Sequence, residues 1–232
     1  MTARKPEIAL ALDVANQQEA LAWVKKTKGL VDLYKVGLQL FTAEGPGLVK
    51  AIQKEGGKIF LDLKFHDIPQ TVQKACESAA ALGVDLLTIH ALGGVNMMQA
   101  AAKVMQSNPL RIVAVTALTS HSEEAWQNQV GQKAALANDA LRLAQNAKAA
   151  GLAGVVCSAL EAKNLKTKLG DDFVLVTPGI RLSGGNADDQ ERVATPELAV
   201  QNGSHVLVLG RAVTESKEPC VVLQNIRNDI KL

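Results

Sequence analysis

The tightest constraint on this chain is an alternation. Short runs rich in Val, Ile and Leu recur along its length, each followed by a segment rich in Ala, Lys, Gln and Glu with helical spacing. There are eight runs: EIALALDV from Glu7, LYKVGLQ from Leu33, KIFLDLKF from Lys58, DLLTIHA from Asp85, RIVAVTAL from Arg111, GVVCSA from Gly154, FVLVTPGI from Phe173 and HVLVLGR from His205. Runs so continuously apolar predict strands buried on both faces, and hence a parallel sheet covered by helices. The intervening segments, such as NQQEALAWVKKTKG, PQTVQKACESAAALG and NDALRLAQNAKAAG, open on a capping or turn-favouring residue and stop at glycine. Each covers one crossover. No Pro/Ser-rich linker, composition shift or literal repeat divides residues 1–232, so one α/β domain is expected, and eight units predict a single closed (β/α)8 TIM barrel.

Polar residues gather at the C-terminal ends of the runs: Asp13, Lys35, Asp62, Lys64, His90, Thr116, Ser158, Thr177 and Arg211. An open doubly wound sheet needs polar strand ends only near its switch point, whereas a barrel carries its active site on the whole C-terminal rim. Closure is therefore the favoured reading.

Composition removes several classes of function. With 25 Lys+Arg against 23 Asp+Glu the signs are balanced and interspersed, so no broad basic face for nucleic acid is expected, and 3% aromatics gives no stacking platform for single strands. No stretch of about 18 uninterrupted apolar residues occurs, and the N-terminal apolar run is broken by Asp13, which predicts neither export nor a membrane span. Cys76, Cys157 and Cys220 are odd in number, far apart and without CxxC spacing. They predict core positions in a protein of the reducing cytosol, with no disulfide framework or zinc site.

The chemistry concentrates in Phe60-Leu61-Asp62-Leu63-Lys64-Phe65-His66-Asp67. Side chains two apart share a face of a strand, so Asp62 and Lys64 point one way while Leu61, Leu63 and Phe65 point the other. If the apolar set packs under the helices, the two charges face the barrel interior, where Lys35 of the preceding run joins them. Burying charge costs several kcal/mol unless it is paired. A structural ion-pair network is the plain alternative to a catalytic site. Gly210-Arg211 and the segment Pro178-Gly179-Ile180-Arg181-Leu182-Ser183-Gly184-Gly185-Asn186 favour the site, because loops seven and eight are where barrels commonly bind phosphate.

The motif Asp62-x-Lys64-x-x-Asp67 within DLKFHDIPQT, together with Asp13, Lys35, VTPGIR and VLGRAVT, resembles the orotidine 5'-phosphate decarboxylase family in its bacterial form, over essentially the whole chain. The resemblance implies a homodimer of barrels that converts orotidine 5'-monophosphate to UMP and carbon dioxide, in the last step of de novo pyrimidine synthesis, without metal or organic cofactor. It implies Lys64 as proton donor, with Lys35, Asp62 and Asp67 as its charge partners. It further implies that Asp13 and Lys35 hold the ribose hydroxyls, that Thr119 lies near the pyrimidine and that Gln190 bridges base and phosphate. Arg181, Gly210 and Arg211 match the phosphate end, the SGGNADD segment matches a lid, and Asp67 and Thr71 reach the neighbouring subunit's site. Two alternatives stay open: a magnesium-dependent sugar-phosphate decarboxylase or synthase, which shares DxKxxD, and a non-catalytic phosphate-binding barrel.

Other residues are expected to serve packing. His90 reads as a packing or hydrogen-bonding position, and His121 and His205 as structural or exposed. His66 lies near the rim with no assigned proton transfer. Ser158 has no triad spacing and reads as a wall of the barrel mouth. Met97, Met98, Trp23 and Trp126 read as helix or loop packing, and Lys25-Lys26 as a solvated face.

Overall fold

A computed structural model of the chain describes residues 5–131, 133, 135–182 and 193–230. Eight parallel strands form a closed barrel in sequence order: β1 Glu7–Ala11, β2 Leu33–Gly37, β3 Ile59–Phe65, β4 Leu86–His90, β5 Arg111–Val115, β6 Gly154–Val156, β7 Val174–Thr177 and β8 Val206–Leu209. Closure is made by β1 pairing with β8, from Glu7 opposite Val206 to Leu10 opposite Leu209.

The near-continuous apolar character of the strands follows from burial on both faces. One parity set, including Ala9, Leu33, Phe60, Leu86, Val113, Val176 and Val206, fills the barrel interior. The other, including Ile8, Leu10, Val36, Leu61, Leu87, Ile112 and Leu207, packs beneath the surrounding helices. Gly154 is required by this packing, because a Cβ there would lie 2.0 Å from the Val174 carbonyl oxygen.

Local chemistry sets where the helices begin and end. The Asn16 side chain accepts from the Glu19 amide and starts the helix Gln17–Lys26, while proline stands in the first turn of Pro46–Lys54, Pro69–Ala81 and Pro219–Asp229. Past the helix ends, Gly83 and Gly151 take φ of 74° and 86°, a region open to glycine at little cost, which explains the glycine stops in the sequence. Among the described residues, two crossovers carry a second α-helix. Leu38–Glu44 precedes Pro46–Lys54, and Glu123–Val130 precedes Leu136–Ala149.

The last of these pairs is tied by a buried polar contact. Trp126 donates its indole N–H to Asp139 Oδ2 at 2.9 Å, and Arg142 donates to Asp139 Oδ1 at 2.8 Å. Burial pushes the Asp139 carboxyl up, but the hydrogen bonds from Arg142 and Trp126 and the Arg142 charge outweigh it and hold the group below its ordinary 3.8. Trp126 and Asp139 therefore fix the excursion that follows the β5 loop of the barrel mouth.

The polar strand ends do not all serve the mouth. Thr116 and Thr177 fall on the outward parity and donate to the carbonyls of Val156 and Val206, while Ser158 caps the helix Ala159–Leu169 in a capping box with Glu161. Ser158 is thus a cap, fully buried, and lines no part of the mouth cavity. Cys76 and Cys157 are core as expected, but Cys220 is only half-buried, with its Sγ against the Lys26 carbonyl. Met97, Met98 and Trp126 are buried, and Lys25 and Lys26 are exposed, the latter over the Trp23 ring at 5.2 Å.

Asp139→Ala leaves the buried Trp126 N–H without its acceptor and should cost about 1–3 kcal/mol near neutral pH. A carboxyl depressed in the folded state stabilises above its unfolded value of 3.8 and loses that contribution as pH falls through the folded one, so the deficit of the variant should narrow in acid. Denaturant unfolding of both proteins at neutral and acid pH measures it; an equal gap at both would be the wrong result.

Candidate active site

The C-terminal ends of the strands enclose a cavity of about 310 Å3, whose lining includes Asp13, Lys35, Asp62, Lys64, Thr119, Arg181, Gly210 and Arg211. Register explains why these residues meet. Lys35 stands opposite Ala11 on β1 and Phe60 on β3, so its side chain shares the interior with Phe60, and two residues further along β3 the same face carries Asp62. Ala11 on β1 and Gly210, just after the neighbouring β8, are small residues that line the mouth.

Charges of alternating sign run across this floor. Asp13 Oδ1 is 3.1 Å from Lys35 Nζ, Lys35 Nζ is 3.9 Å from Asp62 Oδ2, and that same oxygen is 2.9 Å from Lys64 Nζ. The two middle members are the most enclosed, with side chains 13% (Lys35) and 14% (Asp62) exposed, against 66% for Asp13. Each enclosed charge has an opposite partner, which offsets the desolvation that an isolated one would suffer.

Lys64 carries a backbone feature that its sequence position did not announce. Its φ is 51°, the only non-glycine residue with positive φ among the described residues, a conformation that costs about 1–3 kcal/mol. It lies in an irregularity of pairing: Leu61 stands opposite Leu87, yet Phe65 stands opposite Ile89, so four steps along β3 meet two along β4. A bulge of this kind bends the strand end and re-aims a side chain. Two contacts hold Lys64 there: its Nζ lies 2.9 Å from Asp62 Oδ2, and its backbone N–H donates to Thr88 Oγ1 at 2.9 Å.

Beside the bulge, His90 on β4 stacks on His66, with centroids 5.5 Å apart and planes at 24°. Burial pushes His90 down to about 4, and the neighbouring His66, Lys64 and His121 add to the effect, so its ring is neutral at physiological pH. His90 Nδ1 accepts from the Leu92 amide, as a hydrogen-bonding position should. His205, also expected to be structural, is buried and accepts at Nδ1 from the Leu175 amide; His121 lies edge-on to Trp126.

Asp67 and Thr71 are not brought to this cavity. Both lie on the exposed stretch after β3, where Asp67 Oδ1 accepts from the adjacent Ile68 amide at 2.6 Å. Within the chain, the alternating array is thus completed by Asp13, not by Asp67. Gln190 and the SGGNADD segment lie outside the described residues. Sequence reasoning did not single out Ser120 and Leu118, which join Thr119 on the β5 loop, or the buried Thr88. Thr88 was findable: it shares the parity of Leu86 and His90, so it points inward beside Asp62.

The Orotidine 5'-phosphate decarboxylase / HUMPS family model matches residues 6–226, and the chain belongs to this family. Orotidine 5'-phosphate decarboxylase of Nitrosospira multiformis is 45% identical over 97% of the chain and 94% of its own length. The protein of that name from Legionella pneumophila strain Corby is 47% identical over 97% and 99%. The crystal structure of orotidine 5'-phosphate decarboxylase from Lactobacillus acidophilus superposes with a TM-score of 0.85 at 36% identity, covering 98% of this chain and all of that one. The barrel is therefore the TIM barrel of this family. Among the described residues no helix is long and apolar enough to cross a membrane.

His90→Phe keeps a ring against His66 but removes the titration. Between about 6.5 and about 4 the unfolded chain binds a proton at His90 that the folded one does not, so this residue makes stability fall as the pH drops through that window. The variant should show a flatter acid-side decline in melting temperature. An unchanged slope would mean that His90 is not held neutral.

Proposed function

We propose that this chain decarboxylates orotidine 5'-monophosphate to UMP and carbon dioxide, the last step of de novo pyrimidine synthesis, using protein charge alone. The observation that carries the reading is the pair Lys64–Asp62 at one side of a single cavity whose lining also holds Arg181, Gly210 and Arg211. The family membership and the names of the relatives support it.

Breaking the bond between C6 and the carboxylate leaves its electron pair on C6, in the ring plane, where the π system cannot accept it. An ammonium fixed near C6 stabilises that charge in an enclosed site and then delivers the proton that replaces carbon dioxide. Lys64 has this role, held by Asp62, and solvent restores its proton. Asp62 also faces the departing carboxylate, where like charge opposes the bound substrate and favours the transition state. Asp13 and Lys35 take the ribose hydroxyls, and Thr119 lies by the base. Arg181, Gly210 and Arg211 take the phosphate, with Gln190 linking phosphate and base. Phosphate binding is remote from the reacting carbon, so its free energy is available for closing the site and aligning the ring.

The working form is a homodimer in the cytoplasm, with Asp67 and Thr71 entering the neighbouring site. The exposed position of Asp67 supports this, as does the apolar surface beside it: Ile68 is 66% exposed, and Leu92 and Val95 after β4 are also exposed. An aspartate from a partner would add a second negative charge near Lys64.

Lys64→Ala should abolish turnover of orotidine 5'-monophosphate, followed as loss of orotate absorbance, while UMP still binds. Near-normal turnover in that variant would exclude Lys64 as the proton donor. Chelator should leave the wild-type rate unchanged, whereas a magnesium-dependent sugar-phosphate reaction would be lost, and a non-catalytic binding barrel would turn over neither substrate. For the shared site, chains carrying Lys64→Ala and Asp67→Asn are each expected to be inactive alone and to regain activity on mixing, since one site of the mixed dimer then holds both native residues. Absence of recovery despite proven exchange of subunits would place Asp67 in its own chain's site or outside the chemistry.

A further inference from the structure

We infer that Thr88 is a positioning residue for the reaction, setting Lys64 and Asp62 relative to each other through one hydroxyl; the inference rests on the catalytic reading of those two residues. Thr88 Oγ1 donates to Asp62 Oδ1 at 2.9 Å and accepts the backbone N–H of Lys64, also at 2.9 Å. Asp62 uses its other oxygen, Oδ2, for Lys64 Nζ. The three groups therefore form a closed ring: hydroxyl to carboxylate, carboxylate to ammonium, and the backbone of the same lysine back to the hydroxyl.

Its place in the barrel argues that this hydroxyl is there for a reason beyond packing. Thr88 is 0% exposed, on the inward face of β4 opposite Val113 and two residues beyond Leu86, where the apolar barrel interior of Phe60, Leu86, Val113 and Val176 gives way to the charged mouth. Valine has nearly the same shape and would pack there as well, with no polar atom to bury. The hydroxyl is needed where β3 leaves its regular ladder. The register slips between Leu61 and Phe65, and within that stretch the Lys64 amide, at a φ of 51°, takes the Thr88 side chain as its acceptor. One side chain thus anchors the unusual backbone of the lysine and orients the carboxylate that holds its ammonium. The phosphate contacts come from the loops after β7 and β8, so loss of the hydroxyl is expected to appear in the chemical step and not in binding.

The experiment compares Thr88→Val, Thr88→Ser and Thr88→Cys in the full chain with orotidine 5'-monophosphate. Thr88→Val should lose on the order of a hundred-fold in kcat, as a displacement of a reacting group by about 1 Å would cause, with KM and UMP affinity near wild type. Thr88→Ser, which restores the hydroxyl without the methyl, should recover most of the rate. Thr88→Cys, similar in size but a weak donor and acceptor, should stay slow, and the Ser/Cys comparison decides the matter if the valine variant does not fold. Wild-type kcat in Thr88→Val, or equal rates for Ser and Cys, would overturn the inference while leaving the activity intact. A wild-type protein that does not turn over this substrate would overturn the proposed function, and this inference with it.

Discussion

The interaction on which the site depends is the placement of one carboxylate, Asp62, between two ammonium groups inside a barrel. Lys64 and Lys35 both approach its Oδ2, and Thr88 takes its Oδ1. An isolated charge at such a position would be expelled or neutralised, so the cluster exists only as a set. For the decarboxylation proposed above, this means that the ammonium is fixed and partly out of water within the protein's own fold, the condition under which a charge can stabilise a transition state without first reorganising.

The barrel supplies that condition by division of labour along each strand. Alternate residues fill the interior with Val, Leu, Phe and Ala, and the same parity, carried to the C-terminal end, delivers Lys35, Asp62 and Lys64 to the mouth, with Thr88 buried behind them. The opposite parity is spent on helix packing. At the other end of the barrel, Glu7 and Arg111, on the same inward parity as Ala9 and Val113, form an ion pair at 2.6 Å. The two ends thus carry charge for different reasons: Glu7 with Arg111 closes the core, while the mouth leaves charge available to a ligand.

Much of this was legible beforehand because the signals were local and periodic. The eight strands follow from runs apolar on both faces, the glycine stops at Gly83 and Gly151 from a positive φ that glycine takes cheaply, and the shared face of Asp62 and Lys64 from a spacing of two. The polar strand ends were a weaker guide than they looked. Thr116 and Thr177 sit at strand ends but on the outward parity, and Ser158 caps a helix, so position along a strand without parity overstated the polarity of the mouth.

The sequence alone determined the element order, the two-faced burial of each strand and the identity of the charged pair on β3, since these depend on neighbours within a few residues. Only the tertiary structure decided which strand lies beside which and how far each is displaced. It brought Asp13 rather than Asp67 to the end of the charge array within the chain, turned Lys64 into a left-handed bulge, and set the Thr88 hydroxyl between that backbone and Asp62. Those outcomes depend on register between residues some two dozen positions apart in the chain, as between Lys64 and Thr88. Register is a property of the closed sheet, in which the shift of every strand is constrained by all the others.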